Sequence, residues 1–182
     1  MRIDRSMNIT VTDYNKSWGK LYQKEAKVIQ DVLKSELVEI YHIGSTAVPY
    51  LKAKPVIDMM PIVKDIKRLD QFNQKMIEIG YEPLGELGIS GRRYFRKGGE
   101  NRTHQIHIFQ YDHSSEIERH LAVRDYLRVH DDERTTYGDL KARLAQEFPN
   151  DIDAYSKGKN DFVKLLEQRA ISWWKEGVEK SN

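Results

Sequence analysis

Apolar positions recur along the chain in two rhythms, and the change from one to the other divides it. After Asp13, a residue suited to cap a helix, Trp18, Leu21, Tyr22, Ile29, Val32 and Leu33 fall at helical spacing and predict one amphipathic helix over residues 14–35. Leu37–Ile43 and Pro55–Val63 are instead apolar, β-branched runs of strand length. The second is so nearly all apolar that it reads as a buried strand. From Asp65 to Gly80 helical spacing returns with Leu69, Phe72, Met76 and Ile79 and predicts a second helix, with Gly80 where a left-handed stop is expected. Tyr81–Leu84 contains Pro83, which cannot donate to a ladder, and predicts a short edge strand followed by the glycine-rich turn GELGISG. Arg92–Lys97 and Thr103–Gln110 then read as two strands joined through Gly98-Gly99-Glu100-Asn101.

Beyond Asp112 only the helical rhythm remains. Three helices, with breaks at His130-Asp131 and Pro149-Asn150, account for Ile117, Leu121, Tyr126 and Leu127, then Tyr137, Leu140, Leu144 and Phe148, then Tyr155, Phe162, Leu166, Ala170 and Trp173. The expected fold class is α+β: a mixed β-sheet flanked by helices in residues 1–112, with a C-terminal helical region, 113–182, packed on it. With 182 residues and no repeat, low-complexity tract or clear linker, the two parts are expected to form a single domain.

Composition narrows the chemistry. The 30 basic and 28 acidic residues are interleaved, so there is no broad field for nucleic acid, and any anion site must be local. No apolar run reaches membrane length, and the first fifteen residues hold no signal-peptide core. The absence of cysteine removes disulfides, thiolate metal sites and cysteine nucleophiles. A cytoplasmic location is the expectation.

The stretch YHIGSTAVP, followed by KPVIDMM, concentrates the chemical interest. Gly44 lets another group approach the backbone and Ser45 adds a hydroxyl, a pairing suited to a phosphate; the plain alternative is a β-connection. Asp58 is the only acid between Pro55 and Val63, and a charge within a buried strand is expensive unless paired or metal-bound. It is therefore read as a metal or nucleotide ligand, or else as a buried acid paired with Lys54 or an arginine. His42 lies two residues before Gly44 and shares its side of the strand. In HQIH, alternation puts His104 and His107 on opposite faces, and His107 is favoured to face the site. Alternation likewise sends Arg92, Tyr94 and Arg96 one way and Arg93, Phe95 and Lys97 the other; one of these faces meets phosphates, or the run is a solvated edge.

Four blocks, HIGSTAVPYLKAKPVIDMM, RTHQIHIF, RHLAVRDYLRVH and YSKGKNDF, resemble in order those of the GrpB family (UPF0157-type) over roughly residues 10–175. The resemblance implies a nucleotidyltransferase fold. In that superfamily a Gly-Ser turn is followed about a dozen residues later by an acid, a spacer and a second acid, with a third acid on a later strand, together holding two metal ions. Gly44-Ser45 and Asp58 match this pattern. Met60 stands in place of the second acid, and His104 and His107 stand where a third is expected. The residues and the resemblance together make Asp58 and His107 the catalytic and metal-ligating candidates, with Mg²⁺ or Mn²⁺ as the ion. His42, Gly44, Ser45, Lys54, Arg92, Arg93, Arg124 and Lys159 are the nucleotide- or phosphate-binding candidates. Arg124 faces the cleft or pairs across a helix interface, with Asp125 structural; Lys159 reaches a phosphate or is an exposed helix charge. The expected activity is binding of a nucleoside triphosphate and transfer of a nucleotidyl or phosphoryl group to a small acceptor. GrpB-like domains fused to dephospho-CoA kinase point to a nucleotide or coenzyme A-related ligand. The alternatives are a binding module that has lost catalysis, favoured by Met60, and a partner-binding protein using Trp173-Trp174.

Overall fold

A computed structural model describes residues 8–180. The first seven residues, part of the stretch read above as lacking a signal-peptide core, lie outside the described residues, as do Ser181 and Asn182. Five strands form one sheet: β1 (Leu37–Ile43), β2 (Ile57–Val63), β3 (Tyr81–Pro83), β4 (Arg93–Lys97) and β5 (His104–Gln110), in the spatial order β1-β2-β5-β4-β3. Only β2 and β5 run parallel. Pro83 sits on the outer strand, where its missing N–H leaves no gap in a ladder.

Each face of the sheet carries its own cover. On one side Ile57, Met59, Phe95, Ile106 and Ile108 pack beneath α1 (Ser17–Leu33) and α2 (Asn73–Glu78), meeting Trp18, Ile29, Leu33 and Met76. On the other side Ile43, Met60, Ile62 and Phe109 meet Ile117 and Leu121 of α3 (Ser114–Val129). Every residue of β2 except Asp58 is buried, as expected of a strand covered on both faces. α4 (Asp131–Glu147) and α5 (Ile152–Lys180) complete the α+β architecture.

The helical bundle grips the connection between β1 and β2. Val48 and Leu51, both fully buried, belong to a core with Ala122, Tyr126, Leu127, Tyr137, Leu166 and Ala170. Burial of each stabilises this attachment by roughly 1.5–3 kcal/mol. Trp173 packs edge-on against Tyr126 and His130, and Trp174 is half-buried against the same core, so both tryptophans read as a partner surface serve the bundle itself. Among the described residues no helix is long and apolar enough to cross a membrane, the 29-residue α5 included.

Two local expectations need correction. The first helix starts at Ser17, where the Asn15 side chain accepts the Ser17 N–H; Asp13 follows a short bridge between Thr12 and Ala53 and does not cap it. Residues 66–72 form a 3₁₀ segment rather than the start of one long α-helix. Ile66, Leu69 and Phe72 recur every three residues, a repeat that aligns into one stripe only at three residues per turn.

Candidate functional site

Asp58 and the Gly44-Ser45 bend meet because β1 and β2 pair antiparallel with Ile43 opposite Asp58, one residue before the bend. Gly44 has φ +71°, in the left-handed region, and a Cβ there would lie 2.8 Å from Asp58 Oδ2. Glycine is needed twice over, for the backbone angle and for the carboxylate resting on it. Beyond the bend a single 3₁₀ turn, Ser45–Ala47, leads into the clamped loop. Two arginines of α3 hold its carbonyl groups: Arg124 donates from Nη1 to the His42 oxygen at 3.2 Å, and Arg128 donates from Nε and Nη2 to the Ala47 oxygen at 3.0 and 2.9 Å. Asp125 accepts from Arg124 at 2.8 Å and fixes its direction, the structural part expected of it.

The pocket over Asp58 is lined by Ser45, Thr46, Lys54, Asp58, Gln105, Lys141, Tyr155 and Lys159, with Ala53 and Val56 as its apolar floor. Its volume is about 140 Å³, room for roughly five water molecules at their volume in the liquid. Three lysines reach it from three parts of the chain. Lys141, only 3% exposed, donates to Ser45 Oγ at 2.7 Å and lies 4.4 Å from the centre of the Tyr137 ring. Lys54 and Lys159 stand 5.3 and 5.2 Å from the centre of the Tyr155 ring. Burial is the main influence on all three: it lowers Lys54 to about 8, Lys141 well below the lysine range, and Lys159 in the same direction, with Asp58 opposing each. Burial also raises the Tyr137 phenol to about 12. The Tyr155 hydroxyl is buried without a hydrogen-bond partner, an orphan of the kind that a ligand or water satisfies.

His107 approaches Asp58 Oδ1 with Nε2 at 3.3 Å, and Arg92 Nη1 lies 3.3 Å from its Nδ1. Arginine only donates, so Nδ1 accepts, and the ring is the neutral tautomer that donates from Nε2 to the carboxylate. Both ring nitrogens are engaged, so His107 orients Asp58 and has no lone pair for the metal-ligand role expected of it. His120 lies beside it with the ring centres 5.4 Å apart and the planes tilted by 46°, and burial, then His107 and Arg119, press its pKa down to about 2, keeping it neutral.

Three other candidates do not line the pocket. Arg93 is on the opposite face, paired with Asp70 at 2.9 Å, as strand alternation dictates. The His42 ring also turns to the α1 face, stacking on Tyr22 and meeting Thr46 Oγ1 at 2.9 Å; burial lowers its pKa to about 4. Arg92 is on the pocket's face, but it braces the neighbouring loop, donating to the Glu86 and Leu87 carbonyls at 3.2 and 2.8 Å. Of the phosphate-binding candidates, Gly44, Ser45, Lys54 and Lys159 come together.

The sequence reading missed Lys141, Tyr155, Gln105 and Arg128 as site residues. Lys141 carried a signal: it falls four after Tyr137 and three before Leu144, a charge on the apolar stripe of α4. Gly158 explains how Lys141 and Lys159 become neighbours, since a Cβ there would meet Leu144 at 2.5 Å; its absence lets α4 and α5 close up.

As a metal site the arrangement is poor. Among the described residues no three His, Asp or Glu side chains converge, Met60 is fully buried, and the β5 partner of Asp58 is the amide Gln105. One carboxylate facing three lysine amines suits an anion, whose charge favours their protonated forms. A divalent ion would have to arrive on the oxygens of a bound phosphate, with Asp58 as its protein ligand.

The family model described as "GrpB protein" matches residues 8–169. The UPF0157 protein YqkA of Bacillus subtilis is 42% identical over 169 residues, covering 93% of this chain; the chain spans about half, 49%, of that relative's length. A crystal structure of conserved protein GrpB from Enterococcus faecalis superposes with a TM-score of 0.88 at 45% identity, covering 91% of this chain and 99% of that one. The Cid1 poly(U) polymerase in its MgGTP-bound structure is 15% identical with a TM-score of 0.53, covering 75% of this chain and 44% of that one. That distant likeness shows the nucleotidyltransferase fold and no more.

Proposed function

The chain belongs to the GrpB family, and on that premise we propose that its pocket binds the phosphate groups of a nucleotide, or of a coenzyme A-related molecule, on Lys54, Lys141, Lys159 and the Gly44-Ser45 turn. The observation that carries this reading is the charge imbalance: the buried Lys141 and the half-buried Lys54 and Lys159 share one carboxylate. A buried ammonium without a counter-charge is costly, and a phosphate supplies both the charge and acceptors for its hydrogens. Ser45, held by Lys141, and the unpartnered Tyr155 hydroxyl are the remaining polar contacts within the same volume.

Nucleotidyl transfer is the second reading, favoured by the position of Asp58 beside the turn and by the Cid1-like fold. It is the weaker one. Met60 and Gln105 remove the acids that would steady two ions, and His107 presents an N–H to Asp58, so it is no proton acceptor there.

Isothermal titration with ATP, with and without Mg²⁺, tests both readings when run beside product analysis over a panel of small acceptors. Binding that falls at least tenfold in Lys141→Met, with the variant folded, supports the phosphate site; turnover would raise the second reading above the first. Wild-type protein that binds neither ATP nor pyrophosphate, or a Lys141→Met variant that binds as well as wild type, would overturn the proposal.

A further inference from the structure

A second hollow of about 310 Å³ adjoins the first and shares Lys54 and Val56 with it. Its remaining wall comes from Pro55, from the N-terminal segment, through Asn8 and Thr10, and from the β4–β5 connection, through Glu100, Asn101, Arg102 and Thr103. The connection is stiff: Gly98 has φ +101°, and a Cβ there would lie 2.4 Å from the Asn101 oxygen. Thr103 is held to Lys97 by a backbone hydrogen bond of 2.9 Å. The groups that the connection contributes to this hollow are therefore set in place by the hairpin.

Arg102 dominates its electrostatics. Its Nε is buried with no hydrogen-bond partner. Among the described residues no carboxylate lies within ion-pair distance of it, whereas the nearby Arg96 is paired with Glu82 at 2.6 Å. Burial and the adjacent Arg96 both disfavour its charge, with Tyr94 and Glu82 offsetting them. Glu100 lies on the same wall, so the hollow offers Arg102 and Lys54 against one carboxylate, with amides and hydroxyls around them. A neutral nucleobase would leave this positive potential uncompensated; a phosphate offsets it and suits the fork of a guanidinium.

We propose that the second hollow binds a second phosphate group, so that the chain recognises two phosphate-bearing moieties side by side, with Lys54 between them. This extends the phosphate-binding reading of the first pocket, yet it stands on different residues and fails separately. An acceptor that is itself a phosphate ester, or a ligand with phosphates at two separated positions, is the substrate class that fits.

Calorimetric titration of inorganic phosphate into the wild type, Arg102→Gln and Lys141→Met is the test. Two sites are expected in the wild type. Arg102→Gln weakens one at least tenfold and leaves the other within about twofold; Lys141→Met does the reverse. Crystals soaked in tungstate should show density in both hollows, a readout independent of how either variant folds. A single site that depends on Lys141 alone, tungstate confined to the first pocket, or displacement of phosphate from the Arg102 site by unphosphorylated adenosine would overturn the proposal. Retention of the Arg102-dependent site when the Lys141-dependent one is absent would sink the first reading and leave this one standing.

Discussion

Two clusters of buried charge sit on the same sheet, one under α1 and one under the C-terminal helices, and they differ in a single respect. Under α1, Glu25 accepts from the Tyr81 hydroxyl at 2.8 Å and from Lys97 at 3.0 Å, and Lys97 lies over the Tyr81 ring. That cluster is closed, each charge having its counterpart. In the pocket, Lys54, Lys141 and Lys159 share Asp58, whose Oδ1 already accepts from His107. Burial of charge is common to both, so burial alone does not mark a site; the missing partner does.

The contrast can be broken or sharpened by four measurements. The largest effect belongs to Gly44→Ala, which meets both the positive φ and the Asp58 carboxylate. It should destabilise by about 3 kcal/mol, summing strain and displacement, and abolish ATP binding; an unchanged melting temperature with intact binding would refute the close contact. Next, Glu25→Ala strands Lys97 in the closed cluster. The loss should be about 2–3 kcal/mol, below that of a fully buried pair because Lys97 is 30% exposed, and calorimetric ATP affinity should not move. Lys141→Met should do the opposite in the open cluster, changing stability by less than about 1 kcal/mol while phosphate binding falls at least tenfold. If denaturant titration shows Lys141→Met to be as damaging as Glu25→Ala, the two clusters are of one kind.

The smallest effect is a pH trend. Lys54, lowered to about 8 from its ordinary 10.5, holds fewer protons folded than unfolded between those values. Stability of the ligand-free protein should therefore rise with pH from about 8, with Lys141 and Lys159 acting in the same direction. Above about 10 the raised tyrosines, Tyr137 among them, oppose it, because the unfolded phenols ionise first. Thermal melts from pH 7 to 10 should show the rise, and Lys54→Met should reduce it to the part that Lys141 and Lys159 supply. Phosphate affinity should fall across the same range as Lys54 loses its charge.

Much of this was legible in the residue pattern. Strands announce themselves through unbroken apolar runs, and the one acid in such a run, Asp58, is conspicuous because little else explains it. Two-residue alternation separated His107 from His104 and Arg92 from Arg93. What the pattern could not show is which helix lies over which end of the sheet. Lys141 and Ser45 are 96 positions apart, and their 2.7 Å contact depends on how α4 packs over the bend that α3 clasps. The 3₁₀ turn at Ile66–Phe72 was misread because a repeat of three was taken for a repeat near 3.6. His42 was misassigned because the glycine it shares a side with has no side chain to show which way that side faces.

Val48 and Leu51 lend the early half of the chain to the heart of the late half. A cut near Asp112 would therefore yield two sticky fragments in place of two proteins, one with bare leucine and valine, the other with an empty socket. Gene shuffling should move such a unit only in one piece, whatever it is fused to. Co-expressed halves, if they regain function at all, should do so by finding each other.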